Sequence, residues 1–412
     1  MENRSTMMEQ PRRQLTRRAI VGGAAGLTGA GMLVARARRA GAQATPEVVG
    51  TVQVGLITSQ SGSLQSYGEQ YLTGFAIGLD YATGGTGVAN GYQIETTIRD
   101  DGGVPDTAVA AARDLIGQGF RILGGSVVSG VGLQVAPIAE QNQVLFISGP
   151  AATDGLTGIN PYTFRSGRQT YQDILTAASF LETLEGQNVL VFAQDTAFGQ
   201  ANVAAVDAVF GAEGATVDSL LVAQDALDFA PFAAQILDRA PDLLFVAWAG
   251  ATATAMYRSL DNQGVLEATR VVSGLDQRSS YPIFGPAAGQ ISFLSHYIYQ
   301  APENEANQFL IDRLAEAGTV PDLFMPDGFS GAQMVVRAVS ETGGEDVDAM
   351  IAALEGFAFP GPKGDYTVRP EDHALLQPMF QVRLVQDGDE FEPEPITTLS
   401  PEAVAPPIQE NW

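Results

Sequence analysis

Val52-Gln53-Val54-Gly55-Leu56-Ile57 is followed by Ser61-Gly62-Ser63-Leu64-Gln65-Ser66-Tyr67 and then by Tyr71 to Ala82. The first stretch is short, apolar and rich in β-branched residues, which predicts a buried strand. The second is polar, with Gly62 and Gly68 as breakers, and reads as a loop. The third places Leu72, Phe75, Ala76 and Leu79 on one helical face. A buried strand, a small-residue loop and an amphipathic helix make one β-α unit, and this unit sets the reading of the rest.

The unit recurs. Strands are predicted at Tyr92–Ile98, Ile122–Leu123 and Val144–Ile147, with helices at Asp106–Ile116 and Val131–Gln141. After about residue 166 the pattern restarts. Helices are predicted at Tyr171–Leu184, Ala201–Phe210, Phe229–Leu237 and Thr252–Asn262. Strands are predicted at Val189–Ala193, Val217–Val222, Leu243–Ala247 and Arg270–Ser273. Uniformly apolar strands alternating with helices imply parallel sheets covered on both faces. The fold class is therefore α/β, with two doubly wound parallel-sheet lobes. The C-terminal third reads as three helices, Glu305–Ala317, Phe329–Glu341 and Val347–Leu354, then a strand, Phe380–Val385. The Pro- and Glu-rich tail from Glu390 reads as irregular.

Composition removes most chemistry. The 412 residues include 22 Lys+Arg against 47 Asp+Glu, two His and no Cys. Disulfides and thiolate metal sites are excluded, and multi-histidine metal sites nearly so. The charge of -25 would repel nucleic acid and anionic lipid, so neither is expected as a partner. The charge is also uneven. Residues 1–44 carry eight arginines and two acids, leaving the remainder with a net charge of -31. A basic head, an apolar run from Ala19 to Ala35 and Ala42-Gln43-Ala44 make an export signal cleaved near Ala44. Arg12-Arg13-Gln14-Leu15-Thr16-Arg17 resembles a twin-arginine signal. The mature chain is expected to be soluble in the periplasm or outside the cell, with no direct membrane insertion.

Motifs for catalysis are scarce. Gly85-Thr86-Gly87 is a turn before a strand, the sole Lys sits in Pro362-Lys363-Gly364, and Gly124-Gly125-Ser126-Val127-Val128 lacks the second Gly of a nucleophile elbow. His296 and His373 lack ligand spacing and read as surface or hydrogen-bonded residues. Asp100-Asp101 reads as a capping pair. No catalytic residue, metal or cofactor is expected. What remains is a set of loops at strand ends: Ser61–Tyr67, Gly124–Gly130 and Ser148–Thr153. In parallel sheets ligands bind at those ends. Hydroxyls and free helix-start N–H groups suit a carboxylate.

The sequence resembles the periplasmic solute-binding proteins of branched-chain amino acid ABC transporters, the leucine/isoleucine/valine type, over about residues 50–390. The resemblance is carried by Tyr67-Gly68-Glu69-Gln70-Tyr71-Leu72-Thr73-Gly74, Arg99-Asp100-Asp101, Ala108 to Ile116, Ala136-Pro137-Ile138-Ala139-Glu140, Pro150-Ala151-Ala152-Thr153, Pro161-Tyr162-Thr163-Phe164-Arg165 and Phe198-Gly199-Gln200. It implies the type I periplasmic-binding-protein fold, two lobes joined by a three-stranded hinge crossed near 166, 297 and 377. The first lobe would then be 45–166 plus 298–377, the second 167–297 plus 378–390, and 391–412 a tail.

The same resemblance implies a non-enzymatic receptor. It would bind a small carboxylate or amino acid by hinge closure and deliver it to the permease subunits of an ABC importer. Ser126, Ser129, Ala151 and Thr153 are implied to hold the carboxylate. Tyr67 and Phe324 are implied aromatic walls. Phe198 stands where a Tyr is common, and Trp248 beside another such position. Asp276 falls near the acid that pairs with a ligand ammonium. Arg168 and Tyr171 follow the first crossing and are within reach of the cleft. The aromatic second lobe also admits an aromatic carboxylate. The rival readings are a sensing receptor of the same fold and a secreted α/β enzyme.

Overall fold

The computed structural model describes residues 47–388, 390–409 and 412. The expected export signal lies outside the described residues. No helix among the described residues is long and apolar enough to cross a membrane.

The first sheet contains β1 (Gly50–Thr58), β2 (Val88–Ala89), β3 (Tyr92–Asp100), β4 (Ile122–Gly124), β5 (Leu145–Ser148) and β6 (Thr163–Arg165), in the order β2-β3-β1-β4-β5-β6. All neighbours are parallel except the short β2. Its strands are buried on both faces. Val52, Val54 and Leu56 enter one apolar cluster, and Ile57 enters the other with Leu115 and Leu123.

The second sheet takes β7 (Asn188–Gln194), β8 (Thr216–Val222), β9 (Leu243–Ala247), β10 (Arg270–Gly274) and β11 (Ile291–Ser295). A small sheet follows, β12 (Ala358–Gly361), β13 (Gly364–Val368) and β14 (Leu375–Leu376). Then β15 (Met379–Asp387) and β16 (Glu390–Leu399) return to the second sheet, whose order is β16-β15-β11-β10-β9-β7-β8. Its five parallel strands repeat the strand order of the first sheet. In both sheets the first strand lies inside, flanked by the second and third. The sheet therefore has a switch point at that strand's carboxyl end, where parallel sheets open a crevice.

The chain passes between the sheets after Arg165, after Ser295 and after Leu376. The helices Gln65–Ala82 and Met325–Thr342 pack together in the first lobe with very close backbones. A Cβ on Gly74 would lie 1.9 Å from the Met325 carbonyl oxygen, and one on Gly328 2.0 Å from that of Tyr71. A side chain at either position would drive the helices apart.

Three expectations need correction. The helix expected from Tyr71 begins at Gln65, so Tyr67 is helical and not in a loop. The helix expected to reach Leu184 ends at Ala178. The tail is not irregular throughout: Glu390–Leu399 is an edge strand paired antiparallel with β15. An edge strand needs partners on one side only, so Pro393 and Pro395 are tolerated there, and its charged residues keep the free edge solvated. Beyond it the chain folds back onto the first lobe. Arg369 donates to the Pro406 carbonyl at 2.7 Å, and the Gln409 N–H to Asp372 at 3.0 Å.

Candidate functional site

A cleft of about 560 Å³ lies between the carboxyl ends of the two sheets. Both walls follow from the topology. The first lobe contributes the loops after β1, β3, β4 and β5. The second contributes the loops after β7, β8, β9, β10 and β11.

The first wall is built on two carboxylates that never reach the cleft centre. Asp101, fully buried, accepts from the Ser59 hydroxyl at 2.6 Å, the Gly103 N–H at 2.8 Å and the Ser126 hydroxyl at 3.3 Å. It thereby ties three successive loops together. Asp100 accepts from the Ser61 hydroxyl at 2.6 Å and the Gln60 and Gly102 N–H groups at 2.8 and 2.9 Å. These bonds, led by that from Ser61, lower its pKa. The capping role expected for this pair is not found: the next helix has Val104 at its N-cap with no side-chain bond, and both carboxylates brace loops instead. Arg165, 1% exposed, donates to the carbonyls of Ala151, Thr153 and Arg168 at 2.6, 2.8 and 2.8 Å. It fixes the Pro150–Thr153 loop from behind, and burial brings its pKa down to about 10.

This scaffolding decides which expected residues face the cleft. Tyr67, Ser129, Arg168, Phe198, Trp248, Asp276 and Phe324 line it. Ser126, Ala151, Thr153 and Tyr171 do not. Ser126 turns its hydroxyl to Asp101 and accepts the Val128 N–H at 3.0 Å. Ala151 is fully buried, and its place in the wall is taken by Pro150 and Ala152. The Thr153 hydroxyl accepts from Gly155, and its N–H donates to the Ser129 hydroxyl at 3.2 Å. Tyr171 packs into the second lobe and donates its N–H to Asp154 at 2.9 Å.

What the walls offer a ligand is asymmetric. Helix Ser129–Asn142 starts at the first wall, and the N–H groups of Ser129 and Gly130 have no backbone partner among the described residues. Helix Ala197–Phe210 starts at the second wall, capped by the Thr196 hydroxyl, which accepts from Gly199 at 3.2 Å. The N–H groups of Ala197 and Phe198 are likewise without a backbone partner there. Helix starts carry partial positive charge and orphan donors. Arg168, 8% exposed, holds Asp173 through Nε at 3.3 Å and donates from Nη1 to the Pro150 carbonyl at 3.0 Å. Its Nη2 has no hydrogen-bond partner among the described residues. Burial raises the pKa of Asp173, against the pull of Arg168.

The rest of the lining is aromatic. Tyr67 and Phe324 lie with ring centroids 4.2 Å apart. Trp248 packs on Phe192 and Phe229 at 5.2 and 5.3 Å, its indole N–H donating to Thr252 at 3.0 Å.

His296, read from the sequence only as a surface or hydrogen-bonded residue, lines the cleft. It is 3% exposed, and its Nε2 has no partner among the described residues. Burial first, then the nearby Arg168 and Lys363, hold its pKa well below the ordinary value, so it stays neutral. Its position at the end of β11, beyond an apolar strand, was the available signal. His373 is hydrogen-bonded as expected, to the Thr163 carbonyl at 3.1 Å, and stacks on Phe164. The sole lysine, Lys363, is fully buried. It pairs with Asp327 at 3.2 Å and donates to Gln377 at the third crossing. No cluster of three or more metal-ligating side chains occurs among the described residues.

Comparison with known proteins agrees with this geometry. The model of a family described as periplasmic binding protein matches residues 51–389. A Leu/Ile/Val-binding protein of Rhizobium johnstonii is 24% identical over 322 residues, 77% of this chain and 87% of that protein. An ABC-type branched-chain amino acid transporter structure from Rhodopseudomonas palustris is 30% identical, with a TM-score of 0.74 over 88% of this chain and 100% of that one. A solute-binding protein of an R. palustris ABC transporter, in complex with 4-hydroxybenzoate, has a TM-score of 0.78 over 85% of this chain and 97% of that one. At 21% identity it speaks for the fold alone. Two sheets of one topology, a cleft at their switch points and a family match over most of the chain lead to one conclusion: this chain belongs to the periplasmic binding protein family.

Proposed function

We propose that the protein is the extracytoplasmic receptor of an ABC importer, binding a small carboxylate between its lobes and presenting the closed form to a membrane permease. One observation carries the reading. Two helix starts, one from each lobe, and the free edge of the Arg168 guanidinium open onto a single cleft. Four amides and one guanidinium edge suit an anion that has lost its water. The aromatic lining suits an apolar body attached to it. The named ligand classes among similar proteins, branched-chain amino acids and 4-hydroxybenzoate, are both small carboxylates with apolar bodies.

Ligand contacts made by both lobes favour the closed arrangement, because only that arrangement offers both sets at once. The residues that face the cleft are the ones this reading uses, and Ser126, Ala151, Thr153 and Tyr171 support them from behind. Export would follow from the arginine-rich head, and cell fractionation of the full-length chain reads that out. The test of binding is isothermal titration of the mature chain, residues 45–412, with leucine, isoleucine, benzoate and 4-hydroxybenzoate, alongside thermal melts. Binding of any of them with a rise in melting temperature supports the reading. A cooperatively folding sample that takes none of them overturns it.

A further inference from the structure

The two carboxylates inside the cleft, Asp173 and Asp276, are already engaged within the protein, and this bears on the ligand. Asp276, at the end of β10, lies where a partner for a ligand ammonium is expected. Its Oδ1 instead accepts the Tyr67 hydroxyl at 2.6 Å and the Gln277 N–H at 2.8 Å. The Tyr67 oxygen in turn accepts the Gly250 N–H at 3.4 Å. Tyr67 belongs to the first lobe, and Asp276 and Gly250 to the second, so this set of bonds spans the cleft mouth and holds the lobes together. Asp173 is engaged by Arg168. Asp195 and Asp225 are exposed on the rim, where water screens them. Asp195 also accepts from Gln200 at 2.9 Å.

We infer that the ligand is a carboxylate with no α-ammonium group, and that Asp276 serves as a latch between the lobes. The inference rests on the carboxylate reading above and narrows it. A buried ammonium without a carboxylate partner costs several kcal/mol. The inner cleft carries the opposite preference. The Arg168 edge awaits an anion. The burial and positive field that resist a proton on His296 resist an ammonium in the same place.

The experiment uses matched pairs that differ only in the ammonium: 3-phenylpropanoate against L-phenylalanine, and 4-methylpentanoate against L-leucine. Each is titrated into the mature wild type and into Asp276→Asn. In the wild type the deaminated member of at least one pair binds about tenfold tighter or more, a difference of about 1.4 kcal/mol. Asp276→Asn weakens both members of a pair by the same factor, because it alters the latch they share. Equal or tighter binding of the amino acids, or selective loss of amino acid binding in Asp276→Asn, overturns the inference while leaving the receptor reading intact. Failure of all four compounds, and of benzoate and 4-hydroxybenzoate, to bind a sample that melts cooperatively overturns the carboxylate reading and the inference together.

Discussion

The two lobes share a strand order and differ in what they bury. The first lobe buries charge: Arg165, Asp101 and the Asp327–Lys363 pair are all 2% exposed or less. The second buries rings around its cleft edge, with Trp248 packed on both Phe192 and Phe229. One topology thus carries two kinds of wall, polar and preorganised on one side, apolar and broad on the other. The topology fixes where the wall stands, and the residues at the strand ends fix what it recognises.

Five experiments break or sharpen that contrast. The largest effect is on stability. Lys363→Met leaves Asp327 buried without its cation and costs about 3–5 kcal/mol, as removal of one partner of a buried pair does. Urea unfolding measures this, and a loss below about 1 kcal/mol would mean that the pair is not buried in solution.

Arg168→Met removes the cation from the cleft wall. Carboxylate affinity falls by about 2–4 kcal/mol, roughly thirtyfold to a thousandfold, in isothermal titration. The double variant with Asp173→Asn keeps the site free of an unpaired carboxylate, so a persisting loss separates ligand contact from disturbed folding.

On the second wall, Trp248→Ala opens apolar space. It weakens aromatic carboxylates by about 1–2 kcal/mol and aliphatic ones by less, since ring contacts add to area burial. Equal loss for both classes would remove the ring preference assigned to this wall.

Tyr67→Phe deletes one hydroxyl from the latch. It costs about 0.5–1.5 kcal/mol of ligand affinity, and the loss falls on the dissociation rate because the lobes reopen sooner. Stopped-flow dissociation reads it out, and an unchanged rate would deny the latch.

The smallest effect is on pH. His296 and His373 both have lowered pKa values, chiefly through burial. As pH falls through about 6.5 the unfolded chain takes up protons that the folded chain refuses. Stability therefore declines below that pH, by at most about 1.4 kcal/mol per pH unit for each group. Burial raises the pKa of Asp276 and Asp173, which favours the fold as pH falls and opposes this trend. The clean measure is the difference between wild type and His296→Gln in urea unfolding from pH 7.5 to 5.5, where the variant shows the shallower slope.

Much of the fold was legible because β-α alternation is a local property. A run such as Val52–Ile57 or Leu243–Ala247 declares a buried strand from its own residues, and the loop after it declares a cleft once parallel pairing is assumed. The loops holding Tyr67 and Ser129 were legible for the same reason, whereas Phe198 and Trp248 were implied only by the family resemblance. The edge strand β16 was not. Its prolines and acids argue against a strand by themselves, and only pairing with β15 makes them acceptable.

The sequence by itself determined two doubly wound units, the loops that face each other and the absence of cysteine chemistry. These depend on residue type and on spacing within a few turns of chain. The tertiary structure alone decided which polar groups meet a ligand. Ser126 and Thr153 have the right hydroxyls but hold neighbouring loops. The Tyr67 hydroxyl meets Asp276 across 209 positions, and Lys363 finds Asp327 across 36. Hydrogen bonds and ion pairs act over about 3–4 Å in space regardless of separation along the chain. Their partners are therefore fixed only when packing brings the elements together.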